Sequence, residues 1–160
     1  MTFERFEDIP VWKDGVRLTT TVFKLTEDKR FRFKGDIANQ IQRAALSVPN
    51  NIAEGFERGT TQELITFLYY ARGSAGEVRS ILAVMDQMPD FEDLKSKISE
   101  LKSLAETVSR QVRGWTNSLQ NTSIQGQKYL NDNSRKAFEG AKRRKEFENT
   151  LKKHWQPKSE

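Results

Sequence analysis

The sequence has no cysteine and a single histidine, His154. The first absence excludes disulfides and thiolate metal sites. The second leaves imidazole chemistry to one residue flanked by Lys153 and Trp155, where solvation is the expected state. No Glu-x-x-His pair occurs, so the di-iron signature of helical bundles is missing. "ARGSAGE", Ala71 to Glu77, has glycines and a serine but no lysine and no strand before it, so it is no phosphate loop. Glu54 and Glu57 are one helical turn apart, the spacing of an acid/base pair, but Arg58 beside them favours an exposed ion pair. Long apolar runs are lacking too. The longest, "LITFLYYA" from Leu64 to Ala71, falls far short of the roughly 18 residues of a membrane span. "MTFERFEDIP" is charged from its fourth residue and does not read as a signal peptide. These absences point to a soluble cytoplasmic protein that is not an enzyme, with no catalytic residues, metal or cofactor and no membrane contact.

What is present is an uneven charge. Lys and Arg number 27 against 22 Asp and Glu, a net +5 over 160 residues. Residues 1–120 hold 17 of each sign, while residues 121–160 hold 10 basic and 5 acidic residues, so all the excess lies in the last quarter. Such asymmetry marks a boundary. Apolar residues make up 36%, low for a fully compact chain, so either the core is small or part of the chain lies outside it.

Four helical segments are legible, and no strand pattern or repeat. The first spans about 10–25, with proline in its first turn and Val11, Trp12, Val16, Leu18, Val22 and Leu25 at helical spacing. "EDKRFRFKGD" interrupts the pattern. The second spans about 36–54 and contains "SVPNNIAEG", Ser47 to Gly55, a proline and two asparagines where helix formers are expected. Ile37, Ile41, Ala44, Val48, Ile52 and Gly55 share one face, and Leu46, Pro49 and Ala53 form a stripe nearly opposite. Arg43, Ser47, Asn50 and Glu54 run along one side between them. The phase survives Pro49, which predicts one continuous, kinked helix. Thr60 and Glu63 have capping-box spacing ahead of a third helix ending near Met88. Its main face is Leu64, Phe67, Leu68, Ala71, Ala75, Val78, Leu82 and Met85, and Ile65, Tyr69, Gly73, Gly76 and Ala83 form a second. Pro89 ends it, and Asp90 is the expected cap of a fourth helix. There Phe91, Leu94, Ile98, Leu101, Ala105, Val108, Val112, Trp115 and Leu119 recur three and four apart.

Two stripes on each central helix exceed what a monomeric bundle needs, so the second either receives a partner or stays exposed as a patch, unless both helices are central and covered within the chain. The residues that would meet a partner are Leu46, Pro49, Ala53, Ile65, Tyr69 and Gly76. "FEDIPVWKDGVRL", "QIQRAALSVPNNIAEGFERG" and "QELITFLYYARGSAGEV" resemble the four-helix-bundle family of proteins encoded in intervening sequences of bacterial 23S rRNA genes. The resemblance covers about residues 3–120. It implies an up-down bundle assembling into a ring-like pentamer. A related set serves as accessory proteins of diversity-generating retroelements, binding nucleic acid and a reverse transcriptase. Trp12, Arg43, Asn51, Glu54, Gly55, Arg58, Glu63, Phe67, Gly73, Ser74 and Glu77 stand at the family's motif positions. The family often has a basic residue where Gln42 stands, which thins any basic patch around Arg43. Asn51 and Glu54 are expected to satisfy backbone groups freed by Pro49.

The fold expected is therefore all-α: a four-helix bundle over 1–120 and a basic, partly disordered tail over 121–160. The spacing of Phe147, Leu151 and Trp155 by four allows a short helix over 135–155. Lys142, Arg143, Arg144, Lys145, Lys152 and Lys153 can contact phosphates and Trp155 can stack on a base, the alternative being a solvated basic tail that aids solubility. Arg43, Arg58 and Arg72 are the bundle's own candidates. The function expected is a non-enzymatic homo-oligomeric scaffold binding nucleic acid, RNA favoured. The alternative is a protein-interaction adaptor, such as an accessory subunit of a reverse transcriptase.

Overall fold

The computed structural model describes residues 3–121, 140, 143, 144 and 146–150, with Phe33 described in its backbone only. Four α-helices are present: α1 Pro10–Thr26, α2 Gly35–Glu57, α3 Thr61–Asp86 and α4 Lys95–Gln120. Short 3-10 turns lie at Phe6–Asp8, Lys29–Phe33 and Pro89–Leu94, and the described residues contain no strand. Each helix packs on its neighbour in sequence and α1 closes the ring on α4, an up-down bundle. The chain divides into two units, Met1–Gly126 and Gln127–Glu160. The last helix of the first unit, α4, ends at Gln120. In the second unit the described residues are helical and exposed. The rest of the expected 135–155 helix lies outside the described residues. Among the described residues no helix is long and apolar enough to cross a membrane.

The periodic residues make the core. Leu18, Val22, Ile41, Val48, Ile52, Leu68, Val78, Leu82, Ile98 and Val108 are all but inaccessible. Each such burial contributes about 1.5–3 kcal/mol. Local chemistry sets the ends. Pro10 opens α1 without losing a hydrogen bond, because first-turn amides have no helical partner. Thr60 Oγ1 accepts from the Glu63 amide at 3.2 Å and donates to the Glu63 carboxylate at 2.6 Å. The α2–α3 turn passes through Gly59 at φ +80°, a region glycine enters without a Cβ clash.

The fourth helix starts later than its periodicity predicts. Asp90 does not cap it; Pro89–Leu94 winds as a 3-10 turn with no side-chain cap. The Asp90 carboxylate instead meets Lys34 at 2.8 Å. Phe31, in the segment that interrupts the pattern, is buried and packs on Phe91 with ring centroids 5.3 Å apart. Next to Phe31 in the chain, Arg30 is held by Asp28 at 2.7 Å, by the Asp90 carbonyl at 3.2 Å and by Asp93. Asp28 also caps its own turn, accepting from the Arg30 amide at 3.0 Å.

Side-chain hydrogen bonds from Arg30 hold the Asp28 and Asp93 carboxyls below the usual carboxylate range. Their folded-state values lie below the unfolded ones, so their stabilisation is complete above about pH 4 and is lost as pH falls through the folded values. The melting midpoint is expected to drop on acidification below about pH 4. In Arg30→Gln that drop should be shallower, with a lower starting midpoint. Parallel acid profiles for the two proteins would show that Arg30 does not carry the effect.

Candidate functional site

Pro49 has no N–H for the Ala45 carbonyl, yet α2 runs through it unbroken. The Thr19 hydroxyl of α1 lies 2.8 Å from that carbonyl and equally close to the Gly15 carbonyl. Thr19 thus supplies from the neighbouring helix the donor that proline removes. A Cβ at Gly15 would lie 3.5 Å from Pro49 Cβ and 3.2 Å from Val48 Cγ1, so glycine lets α1 seat closely there. Contrary to expectation, Asn51 does not reach the freed carbonyl; its Nδ2 donates to the Ser47 carbonyl and hydroxyl at 2.8 Å each. Nor does Glu54; its carboxylate pairs with Arg58, whose guanidinium lies 5.0 Å from the centre of the Phe67 ring.

The polar side of α2 faces a groove of about 790 Å³ shared with α3. Arg43, Ser47, Asn50, Asn51 and Glu54 line it from α2, and Ser74 and Glu77 from α3. At its floor the Ser74 hydroxyl lies 3.0 Å from that of Ser47 and 3.0 Å from the Tyr70 carbonyl. These hydroxyls meet each other, an amide and a carbonyl. No group of three or more potential metal-ligating side chains occurs among the described residues. A second groove, about 550 Å³, lies between α1 and α4. Beside its residue Asp14, Gln111 Nε2 donates to the carboxylate at 2.8 Å while Gln111 Oε1 is buried without a partner among the described residues.

The bundle's candidate cations do not converge. Arg43 lies on α2 and Arg58 at its C-cap, fifteen positions later and about 22 Å along the axis. Arg58 is already paired, and half-buried Arg72 makes no ion pair among the described residues. In the second unit Arg143 and Arg144 are exposed on helical backbone. Lys142, Lys145, Lys152, Lys153 and Trp155 lie outside the described residues.

The second stripes divide differently from their sequence pattern. Pro49 and Ile65 are buried within the single chain and leave little surface for a partner. The reason at Pro49 is α1, which packs on it through Gly15. Ala53 is half-buried, whereas Leu46, Tyr69 and Gly76 are exposed. The Tyr69 hydroxyl accepts from Gln120 Nε2 at 2.8 Å. The periodicity did not single out Val84, which is 57% exposed on the outward face of α3. Gly73 and Gly76 share that face, and a Cβ added at either would meet nothing within 4 Å.

A family model described as 23S rRNA-intervening sequence protein matches residues 7–114. No curated protein matches the chain.

Proposed function

Because the chain belongs to the family of 23S rRNA-intervening sequence proteins, we propose that it is a non-enzymatic helical scaffold that self-associates and binds RNA through the cations of its last forty residues. The observation that carries this reading is the segregation of charge. In the bundle the two signs balance, and many of its cations are taken up in ion pairs, among them Arg30, Lys34, Arg58, Lys95 and Lys102. The excess of five positive charges falls in residues 121–160, where Arg143 and Arg144 are exposed. A cationic segment neutralising phosphates releases counterions, the main source of sequence-independent affinity. The test is fluorescence anisotropy of labelled single-stranded RNA across a salt series. The full chain should bind, and the chain with residues 142–145 changed to Gln should bind more weakly. Identical titrations would overturn the role of these cations.

Self-association is supported by α3. Its outward face exposes Tyr69, Gly73, Gly76, Ser80, Ala83 and Val84. Each mid-helix glycine costs about 0.8–1.0 kcal/mol relative to alanine, and no close neighbour among the described residues requires either of them. Two glycines beside an exposed valine and tyrosine suit close approach by another helix. Light scattering should give a mass several times 18.5 kDa. Val84→Glu should lower it with helicity unchanged, because a charge there is costly only when another chain covers it. A monomeric wild type would sink self-association; an unaltered mass for the variant would move the contact off this face.

A further inference from the structure

A surface that meets RNA needs places for phosphates and places for bases, and the α2–α3 groove has the chemistry of the second. Its walls carry Arg43 but also Glu54 and Glu77. The Glu54–Arg58 pair offsets one carboxylate, which leaves Arg43 and Glu77 as the groove's two charges without an ion pair among the described residues. They come from opposite walls, Arg43 from α2 and Glu77 from α3. One cation balanced by one carboxylate gives no net attraction for a phosphate chain. It suits a neutral fragment with donors on one edge and acceptors on another.

The floor between those walls is fixed before anything binds. Ser47 is held by Asn51 and lies 3.0 Å from Ser74, so its hydrogen-bonding groups are already arranged. Asn50 is exposed at the rim and adds a carboxamide that can donate and accept. Leu46, 44% exposed, gives an apolar surface for the face of a ring. The volume, about 790 Å³, falls within the range of about 300–1,000 Å³ typical of small-ligand sites.

Resting on the RNA-binding reading above, we propose that this groove is a pocket for one unpaired guanine of the bound strand. Among the bases only guanine offers both matching edges. Its N1–H and N2 amino group donate side by side to a carboxylate such as Glu77. Its O6 and N7 accept side by side from a guanidinium such as Arg43. Adenine and cytosine lack the double donor edge, and uracil lacks the N7 acceptor. Recognition of unpaired bases by their edges is the usual route to sequence preference in RNA. The two parts of the chain then divide the work, the cationic segment taking the backbone and the groove selecting a base.

The experiment uses the full chain and single-stranded RNA oligomers of equal length, read by anisotropy. One carries a single guanine in a uridine run; others carry inosine, adenine or uridine at that position. Guanine should be preferred over adenine and uridine by about tenfold or more, the scale of a good bidentate contact. Inosine lacks the N2 amino group and should lose part of that preference. Glu77→Gln should abolish the guanine-over-inosine difference and leave the salt dependence unchanged. Changing residues 142–145 to Gln should weaken all oligomers alike and keep the guanine preference. Equal binding of all four oligomers by the wild type would overturn the pocket and leave RNA binding standing. If none binds, the RNA reading and the pocket fall together. A change in oligomer mass on Glu77→Gln, read by light scattering, would show the groove to be a contact between copies and would also overturn the pocket.

Discussion

Replacing Lys142, Arg143, Arg144 and Lys145 together by Gln is expected to flatten the salt dependence of RNA binding by two to three units of log affinity per log salt. Each phosphate contact on a single strand contributes a slope of roughly 0.7, because the cation that replaces a condensed counterion returns it to solution. Four contacts give about 2.8. Between about 50 and 200 mM salt the wild type should therefore lose about 50-fold more affinity than the variant. Glu139, Glu146 and Glu148 lie among these cations and lower the local potential, which places the estimate at the upper end of what four cations supply. Self-association would steepen the contrast, since several cationic segments on one assembly raise the effective concentration for a shared strand. Trp155→Ala should behave differently. Stacking of an indole on a base is not a counterion effect, so its loss should lower affinity at every salt concentration and leave the slope alone. A parallel fall in slope for Trp155→Ala would mean that the substitution disturbs the cations around it.

The parts of this molecule that were legible in its sequence are those set by one helix in uniform surroundings. Ile98, Leu101, Ala105, Val108 and Val112 recur at helical spacing because a single face of α4 lies on the core along its length, and all five are buried. The start of α4 was not legible. It depends on Phe91 meeting Phe31 and on Asp90 meeting Lys34, contacts between segments far apart in the chain. The groove was half legible. Arg43, Ser47, Asn50 and Glu54 stand out as a polar line along α2, whereas the wall opposite has no periodic signal and was marked only by the family motif at Ser74 and Glu77. The second stripes misled at Pro49 and Ile65 because periodicity tells which residues share a face and not which neighbour covers it. Thr19 left no signal at all. A threonine that bonds back to the carbonyl four residues earlier looks the same whether or not a second carbonyl, here that of Ala45, also lies within reach.

Two of the poor helix formers between Ser47 and Gly55 answer different neighbours. Pro49 faces α1, and Gly55 faces α3. A Cβ built on Gly55 would lie 2.6 Å from Phe67 Cβ and 3.4 Å from Leu64 Cα. The near atom is the first carbon of a side chain, which cannot swing away without moving its backbone. Gly55→Ala therefore sets two effects against each other. Alanine gains about 0.8–1.0 kcal/mol of helix propensity. The clash costs about 1–3 kcal/mol by overpacking. The second is larger, so the midpoint of thermal unfolding should fall by several degrees, at about 4 °C per kcal/mol for a bundle of this size. Gly55→Val should fall further, since it adds two more methyl groups at the same contact. Gly114→Ala supplies the control: it is a mid-helix glycine of α4 whose added Cβ would meet nothing within 4 Å. It keeps the propensity gain without the clash, so its midpoint should rise. One chemical change thus moves stability in opposite directions at two positions, and differential scanning calorimetry reads both signs. A Gly55→Ala protein that melts at or above the wild-type midpoint would show that α2 and α3 do not approach as closely as the Gly55–Phe67 contact requires.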